Sequence, residues 1–112
     1  CPAGGQERLL AEMFFGRNIG DRLGVSDEAF RRFVDAEVTP RFPDGFTVID
    51  ARGQYRDSDR NRIVREPSKM LAIVLSDEAR DAPRLNEIAD AYKTRFKQQS
   101  VGVITRRVCA SF

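Results

Sequence analysis

Three glycines, Gly16, Gly20 and Gly24, stand four apart in "FFGRNIGDRLGVSDEAF", between an apolar run and a stretch that reads as a helix start. Such a loop invites a test for phosphate binding. A Walker loop requires G-x-x-x-x-G-K-[ST], and a dinucleotide fingerprint requires G-x-G-x-x-G. This spacing meets neither, and no Lys-Ser or Lys-Thr follows. The glycines read better as a strand end at Gly16 and as positive-φ positions in a surface loop at Gly20 and Gly24. Arg17 and Arg22 flank the coming helix N-terminus, a place that favours anions, but the sequence adds no second sign of one.

"DSDRNR" opens like a calcium loop, with Asp57, Asp59 and Asn61 at alternate positions. It then departs, because Arg62 stands where glycine is required and Ser68 where the bidentate glutamate belongs. A polar hairpin tip is the better reading.

The polar cluster with most chemical content is "VREPSK". Arg65, Glu66 and Lys69 lead into an apolar strand, and Asp50, Gln54 and Tyr55 lie on the strand expected to pair with it. Charged groups entering a sheet interior are either paired or functional. With Arg17 at the exit of the first strand, the candidate ligand-binding set is Arg17, Gln54, Arg65, Glu66 and Lys69. An ion-paired rim at the hairpin base is the competing structural reading. No nucleophile or base can be assigned, so no catalytic residue is named. The chain has no histidine, which removes His-based triads, His-metal sites and the usual neutral-pH proton shuttle. No cofactor and no metal site are expected.

The elements that must position these residues follow from periodicity. A chain of 112 residues suits one domain, and the longest apolar run, Met70 to Leu75, is too short to span a bilayer. Of the nineteen basic residues sixteen are arginine and three lysine, yet they are interleaved with acids and leave a net charge of only +2. Without a clustered basic footprint, no nucleic-acid partner is expected.

Alternation through Leu9, Ala11, Met13 and Phe15 predicts a first strand at about residues 8 to 17. Ser26 reads as an N-cap, with Phe30, Phe33, Val34 and Val38 forming the buried stripe of a helix that stops at "TP". "FTVIDARGQYR" predicts a second strand. "IVREPSKMLAIVLS" predicts a third, firm from Lys69 to Leu75, with Pro67 marking a bulge or boundary. Asp81 and Pro83 are read as opening a second helix, with Leu85, Ile88, Ala89, Tyr92 and Phe96 on one face. "SVGVITRRVCASF" closes the chain as a fourth strand.

The expected fold is α+β, a ferredoxin-like β-α-β-β-α-β arrangement with a four-stranded antiparallel sheet in the order 4-1-3-2 and two helices on one face. Residues 1–7 form an N-terminal tail and 8–112 the domain. In this topology the first and last strands are antiparallel neighbours, which brings Cys1 near Cys109. A disulfide between them is the favoured reading. Lipidation of Cys1 competes, because a chain starting at Cys looks like a processed lipoprotein, and two unrelated thiols are the third option. The third strand is apolar on both faces, with Met70, Ala72 and Val74 against Leu71, Ile73 and Leu75. Two helices cover one face only, so a homodimer packed through the open sheet face is expected.

The stretches "FFGRNIG", "VTPRFPDGFTVIDARGQYR" with "REPSK", and "AYKTRFKQQSV" with "VCASF" resemble the bacterial family filed as domain of unknown function 3574, over nearly the whole chain. The resemblance implies a small exported protein, periplasmic, secreted or held in the cell envelope. It also implies that Arg17, Arg41, Pro43, Gly45, Gln54, Arg65, Glu66, Pro67 and Cys109 belong to a recurring pattern. It supplies no catalytic residue. The expected function is a small dimeric module that binds a polar or acidic ligand without a cofactor, and catalysis is not the favoured reading. The alternatives are a cofactor-independent enzyme resembling the dimeric α+β barrel oxygenases and isomerases, or a structural envelope component anchored through Cys1. Membrane contact is expected only through lipid on Cys1.

Overall fold

The computed structural model describes residues 1–112. Strand β1 (Gln6–Gly16) leads into two short strands, β2 (Asn18–Ile19) and β3 (Arg22–Leu23), which pair with each other. Helix α1 (Asp27–Phe33) passes directly into a π-helical segment (Val34–Val38). Then come β4 (Thr47–Asp57), β5 (Arg62–Leu75), α2 (Glu78–Phe96) and β6 (Gly102–Ala110). The long strands form one antiparallel sheet in the spatial order β4-β5-β1-β6.

Alternation decides which face is buried. Ala11, Met13 and Phe15 of β1 and Leu71, Ile73 and Leu75 of β5 are inaccessible or nearly so. The helices bring Phe30, Phe33, Tyr92 and Phe96 onto this same face. The Phe15 ring meets Phe30 at 5.4 Å, Phe33 at 6.3 Å and Tyr92 at 4.8 Å, all edge-to-face. That geometry suits the ring quadrupoles and adds to the burial of the rings. The opposite face carries Phe14, Ile49 and Ile104, which stay 38 to 52% exposed, so no part of the chain covers it.

Several boundaries differ from the sequence reading. The alternation places the start of β1 two residues late, since Gln6 and Glu7 already pair with Ala110 and Cys109. The glycine loop contains the β2–β3 hairpin, whose strands are too short to show a period. Pro67 lies within a continuous β5. β1 pairs with β5 only as far as Ser68, so from Pro67 outward β5 has a neighbour strand on one side alone. A missing N–H is tolerated in such a two-stranded stretch. Helix α2 opens at Glu78, capped by the Asp77 carboxylate, which accepts from the Arg80 N–H at 3.1 Å. Pro83 is therefore inside the helix. Buried Asp81, held by Arg80 and by the Asp77 N–H, reinforces the first turn instead of capping it. No helix is long and apolar enough to cross a membrane.

Cys1 and Cys109 are joined in a disulfide, with Cα atoms 5.5 Å apart. The tail reaches β6 through a turn in which Ala3 and Gly4 have positive φ and the Gly5 N–H donates to the Pro2 carbonyl. The bridge occupies the sulfur that lipidation would use. Closing a loop of nearly the whole chain is worth about 4–5 kcal/mol in the chain-entropy account. Cys109→Ser is therefore expected to lower the denaturant midpoint by an amount approaching that figure, and reductant should lower the wild type equally. Equal midpoints for oxidised, reduced and C109S protein would show that the bridge does not constrain the unfolded chain.

Candidate functional site

Two polar assemblies lie where β1 ends, one on each face of the sheet. The first is under the helices. Arg17 leaves β1 and turns inward, 8% exposed. Its Nε donates to the Val25 carbonyl at 2.9 Å, and its own carbonyl accepts from the Gly24 and Val25 N–H groups. These bonds close the loop from Arg17 to Val25 upon itself. Arg17 Nη2 then meets Asp27 Oδ1 at 3.1 Å, and Lys69 Nζ meets the same oxygen at 2.8 Å. Lys69 is 7% exposed, also pairs with Asp50, and sits 5.8 Å from the centre of the Phe30 ring. The Lys69 ammonium, helped by Arg17, holds the Asp27 carboxyl below its ordinary range. Asp27 and then Asp50 raise the Lys69 ammonium in turn. A buried cation raised in this way stays charged and is no nucleophile. This assembly joins β1, β4, β5 and α1.

The second assembly lines a cleft of about 620 Å³. Its walls come from the end of β1 (Phe14, Gly16) with Asn18 of β2, the β4–β5 pair (Tyr55, Glu66), and the connection from α2 to β6 (Lys97 to Ser100) with Gly102 at the start of β6. Half-buried Glu66 is its acidic group. Glu66 Oε2 accepts from the Asn18 N–H at 3.1 Å, while Oε1 accepts no hydrogen bond from the chain. Gly16 makes this placement feasible, because a Cβ there would stand 3.1 Å from Glu66 Oε1 and 3.3 Å from Oε2. On the far side of the same residue, the Tyr92 hydroxyl donates to the Gly16 carbonyl at 2.6 Å. The third wall is fixed by Lys97, which ends α2 in the left-handed region. Gln98 Nε2 then donates to the Asn18 and Phe96 carbonyls at 2.7 and 3.1 Å. Glu66 Oε1 and Gln98 Oε1 are thus among the cleft's uncommitted acceptors, beside the apolar faces of Phe14 and Tyr55.

The five residues singled out from sequence do not form one constellation. Arg17 and Lys69 meet through Asp27 under the helices, and Glu66 stands in the cleft on the other face. Gln54 and Arg65 face each other across β4 and β5, exposed on the protruding end of that pair. Tyr55, noted on the paired strand, does reach the cleft. Asn18, Gln98 and the special demand on Gly16 were missed, and the polar "KQQS" run before β6 was the available signal for that wall. No group of three or more His, Cys, Asp or Glu residues is placed to hold a metal ion.

This is a small α+β domain, two helices packed on one face of a four-stranded antiparallel sheet, with a polar cleft at the sheet's end. The chain belongs to the family described as "Protein of unknown function (DUF3574)", which matches residues 10–112. No curated protein matches it. Among solved structures it is similar to a phage SAM lyase in complex with S-methyl-5'-thioadenosine. That match has 20% identity and a TM-score of 0.69, covering 92% of this chain and 90% of the other. It is also similar to a PII-like signaling protein from Thermus thermophilus, at 17% identity and a TM-score of 0.54, covering 93% and 89%. CutA from Synechococcus elongatus, complexed with a Bis-Tris molecule, matches at 9% identity and a TM-score of 0.60, covering 96% and 87%. At these identities the likeness is one of fold.

The ion network predicts a pH signature. A carboxyl held below its ordinary value of 3.8 stabilises the fold above that pH, and the contribution disappears as pH falls through the lowered value. The stability gap between wild type and Asp27→Asn should be constant near neutrality and shrink below about pH 4. Denaturant titrations across pH 2 to 8 measure it. A gap that persists unchanged at the acid end would remove Asp27 from the network's energetics.

Proposed function

We propose that the chain is a small-molecule-binding module, working without a cofactor, whose ligand seat is the Glu66 cleft. The observation that carries this reading is a half-buried carboxylate with one oxygen fixed by the Asn18 N–H and the other uncommitted in a cleft with aromatic walls. Such an oxygen accepts from the N–H or O–H groups of a polar ligand and repels an acidic one. A polar ligand is therefore favoured over the acidic one. The SAM lyase with S-methyl-5'-thioadenosine bound supports a nucleoside, which has a planar base for Tyr55 or Phe14 and a hydroxyl pair for Glu66. We read the fold as ferredoxin-like, and the module as a homodimer in which a second copy covers the exposed Phe14, Ile49 and Ile104. A bridge between Cys1 and Cys109 suits an oxidising compartment, which supports an exported location.

The likeness to a SAM lyase also favours a second reading, a cofactor-independent enzyme that uses the same cleft. Incubation with S-adenosylmethionine, followed by mass detection of S-methyl-5'-thioadenosine, separates the two. Product that depends on Glu66 would make the chain an enzyme, and bound but unchanged ligand would make it a binding module.

Calorimetry with S-methyl-5'-thioadenosine and adenosine as probes tests the seat. Wild type is expected to bind, and Glu66→Gln to bind about 10- to 100-fold more weakly, the value of one hydrogen bond to a charged group. Equal affinity in E66Q would move the ligand elsewhere. Light scattering tests the homodimer separately. Wild type is expected at twice the monomer mass and the Phe14→Glu, Ile104→Glu double variant at the monomer mass. A monomeric wild type would sink the dimer and leave the cleft reading intact.

A further inference from the structure

The sheet ends in two outer strands, β4 and β6, and each leaves a row of backbone N–H and C=O groups without a partner strand. The two edges differ in the side chains beside them. On β6 the arginines are neutralised inside the chain, Arg106 by Glu12 and Arg107 by both oxygens of Glu78 at 2.9 Å. On β4, Arg52, Gln54 and Arg56 follow at alternate positions and share a face. Arg65 of β5 stands directly opposite Gln54.

Facing residues in such a ladder lie about 5 Å apart and diagonal ones about 7–8 Å, so three arginine positions flank Gln54. All four side chains are exposed. None of the three arginines enters an ion pair, and Arg56 bonds only the Asn61 side chain. The acid on the same face of β4, Asp50, is already held by Lys69. The other face of this edge presents Ala51, Gly53 and Tyr55. This stretch lies beyond the end of β1 pairing and contributes no residue to the buried core.

We propose that the β4 edge from Arg52 to Asp57 binds an extended acidic segment of a partner protein as an added fifth strand. Backbone pairing supplies the docking rail. Carboxylates at alternate positions of the segment meet Arg52, Arg56 and Arg65, and the residues between them lie on the Tyr55 side. An unpaired strand edge is matched only by another peptide backbone. Nucleic acid would use the arginines and leave the edge idle. The proposal does not rest on the Glu66 cleft, although Tyr55 borders both.

Fluorescence anisotropy with a short labelled peptide alternating Glu and Val tests it on the full disulfide-bonded chain. Binding should be saturable, weaken with salt, and fall about tenfold or more in the Arg52→Glu, Arg56→Glu double variant. Both positions are exposed, and circular dichroism checks that the variant is folded. The same peptide N-methylated at alternate backbone nitrogens keeps its charge and loses its edge-pairing groups, so it should bind at least about tenfold more weakly. Equal binding of the methylated peptide would overturn strand addition. Equal binding of single-stranded oligothymidylate would replace the acidic peptide with a nucleic-acid partner. Absence of binding, with R52E/R56E merely self-associating more than wild type, would reduce the arginines to protectors of a free edge.

Discussion

The hydrogen bond from the Tyr92 hydroxyl to the Gly16 carbonyl is the contact on which the rest of the molecule depends. Tyr92 is fully buried at the centre of the aromatic cluster, so its hydroxyl must find a partner within the protein. Burial pushes the phenol well above its ordinary range, which keeps the group a proton donor at any ordinary pH. The carbonyl it reaches belongs to the last residue of β1. α2 and β1 are thereby locked at one point, and that point decides where β1 leaves the sheet. Beyond it the chain turns under the helices as Arg17 and then doubles back at Asn18, whose N–H meets Glu66. The same glycine presents a carbonyl to the core and an empty Cβ position to a carboxylate. A Cβ at 16 would crowd the Glu66 carboxylate and require it to shift by a few tenths of an ångström. Packing the core and building the cleft are thus one event.

Much of this could be read from residue types, and what could not has definite causes. β1 and β5 were legible because a period of two reports directly which side chains are buried, and the helices because Phe30, Phe33, Tyr92 and Phe96 recur at helical spacing. The cleft was not legible, because much of its framework is backbone. The Asn18 N–H, the Asn18 and Phe96 carbonyls and the bare Cα of Gly16 leave no trace in side-chain chemistry. The "REPSK" cluster reads as one group in sequence, although parity along a strand already divides it. Glu66 lies an odd number of positions from both Arg65 and Lys69, so it must face the opposite side of the sheet. Asp27 looks like an ordinary first-turn acid. Its second role, joining Arg17 and Lys69, depends on a tertiary approach that no local pattern records.

The excess of arginine over lysine follows from the way this small fold ties its elements together. Arg17 reaches the Val25 carbonyl and Asp27 at once, and Arg41 bridges Glu37 and Glu87 at 2.9 and 3.0 Å. Arg84 donates to the Arg41 carbonyl, and Arg107 grips both oxygens of Glu78. Arg17, Arg41 and Arg107 each use two donors of a planar fork at once, which a lysine cannot match. The one buried lysine, Lys69, sits where a compact charge serves better, between two carboxylates and beside an aromatic ring. Against that pattern Arg52, Arg56 and Arg65 are exceptions, since they cross-link no elements and neutralise no acid. They cluster on the part of the sheet that extends past the core and contribute nothing visible to folding. An arginine costs side-chain entropy only when it is fixed. Three of them left without an acid partner beside one exposed strand edge are therefore cheap to keep and ready to be ordered by whatever carboxylates arrive there.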